Sequence, residues 1–491
     1  MTAVENRPAT DTFESLDPAT GAVVGTFPIH DEAAVRAAVD RTRGAAQWWS
    51  GLGYGGRRQR LVAWKRLVTG RLEELADLLR RENGKVRDDA VVEIGLSIDH
   101  LDWAARHAAR VLHGRRVPAG LVMINQAARI EYEPYGVVGV IGPWNYPVFT
   151  PMGSILYALA AGNAVVFKPS EFTPAVGAWL VESFAEVVPE QPVFQLVTGF
   201  GATGAALCRA GVDKLAFTGS AATGRKVMAA CAETLTPVLM ECGGKDAVIV
   251  DADADVEAAA DAVLWGSCTN AGQTCAGVER VYVVDAVHDR FVAALVERAR
   301  ELATPDSFGP ITMPRQLDVI RRHIDDAIAR GGTAVVGGPE SVQPPYVGPV
   351  VLTGVPEDAA AVQEETFGPV TIVNRVPDAD EAVRRANGTA YGLGATVFAR
   401  RRGMELARRL RAGMVAVNGV LSYAGVPSLP FGGVGESGFG RIHGAEGMRE
   451  FVRPKAIART RFPALVNLTT YRRKPSAVPM LLRTVKFIGR R

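Results

Sequence analysis

The chain has 491 residues, of which 48% are hydrophobic and 22% charged, with a formal net charge of +3 at pH 7. This length allows two or three domains, and the composition is ordinary for a soluble globular enzyme. The charge is uneven, because residues 459–491 hold nine of the 55 Lys and Arg residues and none of the 52 acidic ones. The rest of the chain is therefore net acidic, which argues against a nucleic-acid footprint over the whole protein.

The first twenty residues, the lack of a long apolar segment and the cysteines indicate a cytoplasmic protein. The first twenty residues hold four acidic side chains and no apolar run, unlike a signal peptide. No segment reaches about 18 consecutive apolar residues, so no transmembrane helix is predicted. The five cysteines all lie between Cys208 and Cys275, too few and too clustered for a disulfide framework. We therefore expect a reducing, cytoplasmic setting.

The first third of the chain changes from helices to strands. Residues 1–30 are a polar lead-in with a turn at 17–21, and apolar residues at helical spacing predict a helix-rich opening from Asp31 to about Ala109. From Ile130, short apolar runs alternate with amphipathic helices, as in a mostly parallel sheet covered on both faces. The predicted strands are 137–141, 164–167, 194–197, 215–217 and 247–250.

A second α/β region follows. A helix is predicted from Asp255, which can cap it, to Asn270. Further strands and helices are expected from Val281 to about Val417, with helices near 289–302, 317–330 and 379–386. A glycine-rich loop follows at 430–441. Several predicted strands end in Gly, Pro or Ser, and such strand ends are where α/β proteins bind nucleotides.

One cysteine lies between glycines just past the helix that begins at Asp255. Gly272 and Gly277 flank Cys275, which indicates a sharply bent backbone and a sulfur that must be approached closely. As a thiolate, this side chain is a potent nucleophile. The alternative is a buried free cysteine with no chemical role.

Two other polar side chains could serve such a nucleophile. Glu241 follows an apolar strand and precedes two glycines, so desolvation would raise its pKa toward that of a general base. A surface glutamate at a strand end is the alternative. Asn145 lies between Pro143 and Pro147, where a fixed amide can donate to a developing oxyanion, although an asparagine in a loop is usually only a turn residue.

Two strand ends carry residues suited to a nucleotide. Lys168 and Glu171 could hold ribose hydroxyls, and the Gly219-Ser220 pair that opens a helix could face a pyrophosphate. Neither segment contains a complete G-x-G-x-x-G, so each alone is a weak Rossmann signal.

In their order and spacing these motifs resemble the NAD(P)-dependent aldehyde dehydrogenase superfamily along nearly the whole chain. The resemblance implies an α/β fold with a Rossmann-type parallel-sheet coenzyme domain, an α/β catalytic domain and a small β oligomerisation element. It implies a coenzyme domain at 1–117 and 137–252, a catalytic domain at 253–445, an oligomerisation element at 118–136 and 446–465, and a basic tail at 466–491. The matching positions are Asn145, Lys168, Glu171, Gly219, Glu241, Cys275, residues 365–370 and residues 430–433.

The resemblance also implies a covalent oxidation of an aldehyde to a carboxylic acid. Cys275 would attack the aldehyde carbon while the Asn145 amide and the Cys275 N–H hold the oxyanion, and Glu241 would activate water to hydrolyse the thioester rather than pass it to coenzyme A. The implied catalytic residues are Cys275, Glu241, Asn145 and Lys168, with no metal. The implied coenzyme contacts are Trp144, Lys168, Ser170, Glu171, Gly201, Gly219, Ser220, Glu365 and Phe367.

Coenzyme and substrate are inferred from the same resemblance. The Glu171 carboxylate would repel a 2′-phosphate, so we expect NAD, with NADP left open because some members with this glutamate use it. Gly153 stands where some relatives place a large aromatic residue, which suggests room for a bulky substrate. The substrate positions are Tyr146, Phe149, Gly153, Thr269 and Phe431, which include no Arg or Lys.

We therefore expect a medium-chain aliphatic or aromatic aldehyde. The sequence Ile442-His443-Gly444 is also similar to the branch of the family that acts on hydrophobic and aromatic aldehydes. The alternatives are a succinate-semialdehyde or betaine-aldehyde dehydrogenase and, from a different class, a non-catalytic scaffold of the same fold.

Two residues depart from the family pattern. Cys242 replaces the usual Leu, either as a small apolar substitute or as a partner for a protective disulfide with Cys275. His443 is expected to be a structural loop residue, with a proton relay as the alternative.

The C-terminal part suggests contacts with other surfaces. The resemblance implies a homodimer or homotetramer, in which residues 456–458 and 118–136 bridge to a partner subunit. Residues 480–488 mix apolar and basic side chains and are followed by Arg490 and Arg491. Such a tail forms either a short amphipathic helix on an anionic membrane or a basic segment packed over the neighbouring subunit.

Overall fold

The computed structural model describes residues 11–464 and 470–490. The first ten residues of the predicted lead-in, residue 465 of the predicted oligomerisation element and residues 466–469 and 491 of the predicted tail lie outside the described residues. Within the described residues, the chain has the predicted α/β fold, built on two large sheets and a smaller three-stranded sheet.

The helices and strands are as follows. The helices are α1 (Glu32–Gly51), α2 (Gly53–Gly70), α3 (Leu72–Asn83), α4 (Arg87–Val111), α5 (Phe149–Ala161), α6 (Pro174–Val187), α7 (Gly201–Arg209), α8 (Ala221–Ala232), α9 (Val256–Cys268), α10 (Asp285–Glu301), α11 (Gln316–Ala329), α12 (Ala360–Gln363), α13 (Ala379–Ala386), α14 (Gly403–Arg409), α15 (Gly444–Arg449) and α16 (Ala477–Ile488). The strands are β1 (Thr12–Leu16), β2 (Val23–Pro28), β3 (Arg115–Val117), β4 (Gln126–Pro134), β5 (Val137–Ile141), β6 (Ala164–Lys168), β7 (Phe194–Leu196), β8 (Lys214–Gly219), β9 (Val238–Cys242), β10 (Ala247–Val250), β11 (Arg280–Val284), β12 (Thr333–Val336), β13 (Val342–Gln343), β14 (Tyr346–Val347), β15 (Val350–Thr353), β16 (Val370–Val376), β17 (Gly394–Phe398), β18 (Met414–Val417), β19 (Gly438–Phe439) and β20 (Val452–Thr460).

The helix-rich opening is confirmed. Helices α1 to α4 follow the β1–β2 hairpin, and Asp31 caps α1 by accepting a hydrogen bond from the Ala34 N–H at 2.7 Å. Trp49 and Trp64, on the inner faces of α1 and α2, pack edge-on against Phe184 of α6 with ring centroids 5.8 and 5.0 Å away. The aromatic contacts fasten these helices to one face of the first sheet.

The first large sheet has the strand order β19-β9-β8-β5-β6-β7. Strands β5 to β9 are parallel, and only β19, from the glycine-rich loop, pairs antiparallel. Both faces of β5 and β6 are buried, which explains their near-continuous apolar sequences. From β5 the strand order runs one way to β6 and β7 and the other way to β8 and β9. The gap between β5 and β8 is therefore a topological switch point, where ligands bind in open α/β sheets.

The second large sheet has the order β12-β15-β16-β11-β10-β17-β18, parallel except for β12. Strand β10 hydrogen-bonds to β11 and β17, so its predicted grouping with the first sheet is wrong. When an apolar strand is buried on both faces, its sequence does not indicate which strands it will pair with. The chain in fact crosses between the sheets at residues 243–246, directly after Glu241 and Cys242.

The three-stranded sheet brings together the two predicted halves of the oligomerisation element. Strands β20 and β4 pair antiparallel along nine residues, from Val452 opposite Pro134 to Thr460 opposite Gln126, and β3 lies on the other side of β4. Strand β20 is an edge strand of this sheet. Among the described residues no helix combines the length and apolar character needed to cross a bilayer.

Candidate active site

The carboxyl ends of β5 and β8 open into a cavity of about 750 Å³. The loop after β5 supplies Trp144 and Asn145, and the end of β8 supplies Gly219 and Ser220. All of the predicted catalytic and coenzyme-binding residues line this one cavity. They are Trp144, Asn145, Lys168, Ser170, Glu171, Gly201, Gly219, Ser220, Glu241, Cys275, Glu365 and Phe367.

Cys275 lies on the loop after α9. Asp255 caps this helix as predicted, but the helix ends at Cys268 because Asn270 and Ala271 adopt left-handed backbone conformations with φ of 53° and 56°. Gly272 follows with φ of 71°, and a Cβ built on it would lie 2.2 Å from the Gly368 carbonyl. Gly272 is therefore required by close packing on the 365–370 segment, and not only by access to the sulfur.

The Cys275 thiol is protonated at rest. Burial, together with the nearby carboxylates of Glu241, Glu365 and Asp246, holds the pKa of Cys275 well above its usual value. Each of these groups disfavours a negative charge on the sulfur. The thiol must therefore transfer its proton to a base before it can act as a nucleophile.

Glu241, near the end of β9, is positioned to be that base. It is only 2% exposed, and neither carboxylate oxygen accepts a well-formed hydrogen bond from the described residues. Burial raises the pKa of Glu241 to about 8, while the nearby Cys275 thiol and Thr218 hydroxyl oppose that rise. A desolvated carboxylate without fixed partners beside a thiol is an arrangement typical of a reactive site.

Cys242 faces away from this pair. Successive residues of a strand point to opposite faces, and the Cys242 sulfur lies 3.1 Å from a Cβ built on Gly224 of α8. All the cysteines are free thiols, and burial raises the pKa of Cys242 to about 12. The geometry favours the small apolar substitute over the protective disulfide with Cys275.

The Asn145 side chain is fixed beside the nucleophile. Its Nδ2 donates to the Gln273 carbonyl at 2.9 Å. The Asn145 backbone carbonyl accepts hydrogen bonds from Asn270 Nδ2 at 2.9 Å and from Lys85 Nζ at 3.1 Å. Because an amide nitrogen carries two hydrogens, one N–H of Asn145 remains for an oxyanion.

A buried ion pair, which the sequence analysis missed, holds the Asn145 loop. Lys85 and Glu93 are bonded to each other with both side chains fully buried. Glu93 also accepts hydrogen bonds from the Val148 and Phe149 N–H groups at 2.9 and 3.0 Å, and Lys85 lies 3.8 Å over the Tyr146 ring. No sequence signal marks the pair, because Lys85, in the connection between α3 and α4, and Glu93, on α4, each have several charged residues nearby in the sequence.

Two helices begin at the cavity with features that suit a dinucleotide. Gly201 is the first residue of α7, and Ser220 caps α8 by accepting from the Thr223 N–H at 3.3 Å. The N–H groups at such helix starts can bind a pyrophosphate. Lys168 Nζ lies 3.7 Å from the Glu171 carboxylate, a pair suited to ribose hydroxyls. A Cβ on Gly219 would lie 2.8 Å from the Phe217 ring, so the backbone there stays open to a ligand.

The opposite wall of the cavity contains Glu365 and Phe367. Glu365 accepts a hydrogen bond from the Gly244 N–H at 3.0 Å, and desolvation together with the negative charge of Glu279 raises its pKa to about 8. Glu279 accepts the N–H groups of Thr366 and Phe367 at 2.8 and 3.0 Å. Glu279, itself bonded to Lys245, was also missed from the sequence, and it orients this wall.

Phe367 also contacts the wall formed by the loop after β5. Its ring meets the Trp144 ring edge-on, with centroids 5.5 Å apart. The two aromatic residues therefore connect the two sides of the cavity.

The five predicted substrate residues lie outside the lining of this cavity, in two groups. The Tyr146 hydroxyl is 3.0 Å from the Thr274 hydroxyl, next to Cys275, and the Thr269 hydroxyl donates to Asp89 at 3.2 Å. The other three, Phe149, Gly153 and Phe431, surround His443.

The predicted space for a bulky substrate at Gly153 is filled by protein, so that prediction is wrong. A Cβ built on Gly153 would lie 2.7 Å from His443 Nε2 and 2.8 Å from the Ile442 side chain. The imidazole occupies the volume that a larger residue at 153 would take.

His443 itself is a packing residue in this conformation. It is 0% exposed, its ring centroid is 4.0 Å from that of His100, and neither ring nitrogen has a hydrogen-bond partner among the described residues. Burial and the neighbouring His100 hold the pKa of His443 far below its usual value. The ring therefore stays neutral, which favours the structural interpretation over a proton relay.

Comparison with known proteins agrees with this geometry. The family model described as Aldehyde dehydrogenase family matches residues 5–457. A 4,4'-diapolycopene aldehyde oxidase from Methylomonas sp is 39% identical over 470 residues, covering 94% of this chain and 88% of that protein. A putative succinate-semialdehyde dehydrogenase [NADP(+)] from Mycolicibacterium smegmatis is 33% identical over 506 residues, covering 100% of this chain and 96% of the relative.

A solved structure matches over a similar extent. The NAD-dependent aldehyde dehydrogenase from Sinorhizobium meliloti superposes with a TM-score of 0.89 at 34% identity, covering 94% of this chain and 93% of that one. Sequence and structure thus agree along almost the whole chain. The chain therefore belongs to the aldehyde dehydrogenase family and is an NAD(P)-dependent oxidoreductase that acts on aldehydes.

Proposed function

We propose that this enzyme oxidises a medium-chain aliphatic or aromatic aldehyde to its carboxylic acid, with NAD preferred, through a thiohemiacetal and a thioester on Cys275. The observation that carries this proposal is the buried Glu241 carboxylate, without a well-formed hydrogen bond, beside the Cys275 thiol in the cavity at the switch point. A carboxylate in this position supports hydrolysis of the thioester as the last step.

The first half of the reaction uses three groups. Glu241 accepts the Cys275 proton, and the sulfur then attacks the aldehyde carbon to form the thiohemiacetal. The oxyanion is held by the second N–H of Asn145 and by the Cys275 backbone N–H. The bond from Asn145 to Gln273 orients the amide before substrate arrives, so no reorganisation is needed as charge develops.

The second half uses Glu241 again. Bound NAD would supply a hydride acceptor, held by Lys168 and Glu171 on one side and Glu365 on the other. Loss of the hydride leaves a thioester on Cys275. Glu241, having released the thiol proton to solvent, then takes a proton from a water molecule, whose oxygen attacks the thioester carbon. The carbon–sulfur bond breaks, the acid leaves, and the Cys275 thiolate takes the proton from Glu241.

The electrostatics on the substrate side support an uncharged aldehyde. Thr269 donates to the Asp89 carboxylate, which would repel the free carboxylate of succinic semialdehyde. Lys85 lies against Tyr146, but its charge is already neutralised by Glu93. The relatives do not decide between an uncharged aldehyde and one with a carboxylate, because their names mention a diapolycopene aldehyde and a succinate semialdehyde. A succinate-semialdehyde or betaine-aldehyde dehydrogenase is therefore the alternative.

The preference for NAD rests on Glu171. Its carboxylate lines the cavity beside Lys168 and would repel a 2′-phosphate. Two cations, Arg209 and Lys226, also line the cavity and would attract a 2′-phosphate. Arg209 is paired with Glu233, so Lys226 is the cation that opposes the preference for NAD.

We also propose roles for the sheets and for the assembly. The six-stranded sheet would bind coenzyme, the seven-stranded sheet would carry the catalytic loop, and the open edge of β20 would pair in a homodimer or homotetramer. A cytoplasmic location is supported by the small number and close clustering of the cysteines.

NADH formation with a panel of aldehydes tests the function. We expect kcat/KM with octanal or benzaldehyde to exceed that with succinic semialdehyde or betaine aldehyde, and kcat/KM to be higher with NAD than with NADP. The Cys275→Ala variant should form no NADH, and Asn145→Ala should lower kcat by about 10²-fold to 10³-fold. A marked preference for succinic semialdehyde would overturn the substrate assignment. Equal NADH formation by Cys275→Ala would overturn the mechanism.

A further inference from the structure

The C-terminal helix α16 exposes apolar side chains to solvent. Its inner side is formed by Ala477, which is 4% exposed, with Leu481 and Thr484 partly covered. Three apolar residues on one flank remain 45 to 53% exposed, namely Val478, Leu482 and Val485. Because they are spaced i, i+4 and i+7, they form one continuous stripe along the helix.

Cations border this apolar stripe. Lys486 and Arg483 follow it around the helix, at about 100° of rotation per residue. Arg472, Arg473 and Lys474 immediately precede the helix. None of these five side chains forms an ion pair within the part of the chain that the structure describes. The segment therefore presents uncompensated positive charge next to exposed apolar surface.

We propose that residues 472–488, the C-terminal docking segment, bind the surface of an anionic phospholipid bilayer. Val478, Leu482 and Val485 would enter the boundary between headgroups and acyl chains, with the helix lying in the plane of the interface. The five cations would contact anionic headgroups. Negatively charged lipid is the complementary partner, because the chain from residue 459 onward contains nine Lys or Arg and no Asp or Glu. The enzyme is a peripheral membrane protein held by this segment.

Two observations argue against a second copy of this segment as the occupant. Pairing the segment with itself would bring like charges together, because it contains no acidic residue. A helix of 12 residues is about 18 Å long. Its exposed stripe is small beside the roughly 1,000 Å² that a stable protein interface buries.

Flotation with lipid vesicles tests the proposal. The full chain is mixed with vesicles of phosphatidylcholine alone or of equal parts phosphatidylcholine and phosphatidylglycerol. We expect the protein to float with the phosphatidylglycerol vesicles at least about tenfold more than with phosphatidylcholine alone, and raised salt to release it. Equal binding to both vesicles, or binding to neither, overturns the proposal.

Matched variants locate the contact. Leu482→Gln with Val485→Gln removes the stripe without changing charge, and Arg483→Gln with Lys486→Gln removes charge without changing the stripe. Each pair should lower binding about tenfold. The control is Arg400→Gln with Arg408→Gln, which removes the same charge from exposed positions elsewhere and should leave binding unchanged. If the control loses as much binding as the test pairs, the attraction is general and the segment is not the docking site.

Two further measurements separate the proposal from its rivals. Deletion of residues 470–491 should abolish vesicle binding, yet leave kcat/KM with a water-soluble aldehyde unchanged, so the result does not depend on the proposed substrate. The oligomeric state of the enzyme in solution should also stay the same. A change of oligomeric state on deletion, with vesicle binding retained, would instead mean that the helix packs on a neighbouring subunit.

Discussion

Burial raises the pKa of both the Glu241 carboxyl and the Cys275 thiol; the Glu241 charge raises that of the thiol further, whereas the nearby thiol opposes the rise at Glu241. The two groups therefore titrate as a coupled pair within a desolvated pocket. Neither group is reactive in the form that burial favours, since burial favours the neutral acid and the neutral thiol. Reaction starts when the pair has lost a proton, and its titration belongs to the pair as a whole.

The pH dependence follows from this pair. Below pH 8 the Glu241 carboxyl is increasingly protonated, because its pKa is raised to about 8, and it cannot then accept the thiol proton. We expect kcat/KM to rise with pH through about 8 and to level off above it. Initial rates of NADH formation across the pH range, at saturating NAD, measure this directly. A flat profile from pH 6 to about 9 would contradict Glu241 as the base.

Replacing Glu241 should slow both halves of the reaction. In Glu241→Gln the amide cannot take a proton from the Cys275 thiol or from water, so we expect steady-state turnover to fall by about 10²-fold or more. Rapid mixing should show no burst of NADH, because the thiol keeps its proton and does not attack the aldehyde. The neighbouring Cys242→Ser variant is the control, since Cys242 faces α8 and should leave turnover within about twofold. A burst of NADH close to one per active site in Glu241→Gln would assign deprotonation of the thiol to another group.

Breaking the Lys85–Glu93 pair should destabilise the fold and displace Asn145. Lys85→Met leaves the Glu93 carboxylate buried without its partner, which costs about 3–5 kcal/mol of unfolding free energy. Urea unfolding followed by tryptophan fluorescence measures the loss. The double variant Lys85→Met with Glu93→Gln should recover part of the stability, because it removes the uncompensated charge. A single variant as stable as the parent would show that the pair contributes little.

Gly153 and His443 should behave as one packing unit. Gly153→Ala places a methyl group 2.7 Å from the imidazole, so we expect a loss of about 1–3 kcal/mol from overpacking. His443→Ala opens that space, and the methyl should be tolerated in the double variant. Unfolding free energies of the four proteins form a double-mutant cycle. Additive effects would mean that the two residues do not compete for the same volume.

The predictable part of the site consists of residues that carry their own local pattern. Cys275, Glu241 and the Gly219-Ser220 turn each follow a recognisable strand or helix, and their order along the chain suggested one cavity. The Lys85–Glu93 pair and the Glu279 contacts to residues 366 and 367 have no such pattern. They are set by segments that meet only after folding, as is the place of β10 in the second large sheet. The predicted space at Gly153 was wrong for the same reason, since His443 fills it from 290 residues away.

The crossover at residues 243–246 puts the base and the nucleophile on different sheets. Glu241 ends a strand of the first sheet, Cys275 lies on a loop between elements of the second, and a Cβ on Gly244 would lie 2.7 Å from the Cys275 carbonyl oxygen. Neither sheet alone sets the distance from carboxylate to sulfur. Any change in the angle between the sheets, such as closure of the crevice on a ligand, therefore acts directly on the reactivity of the thiol. The reactivity of the enzyme therefore depends on how the two large sheets are held together at residues 243–246.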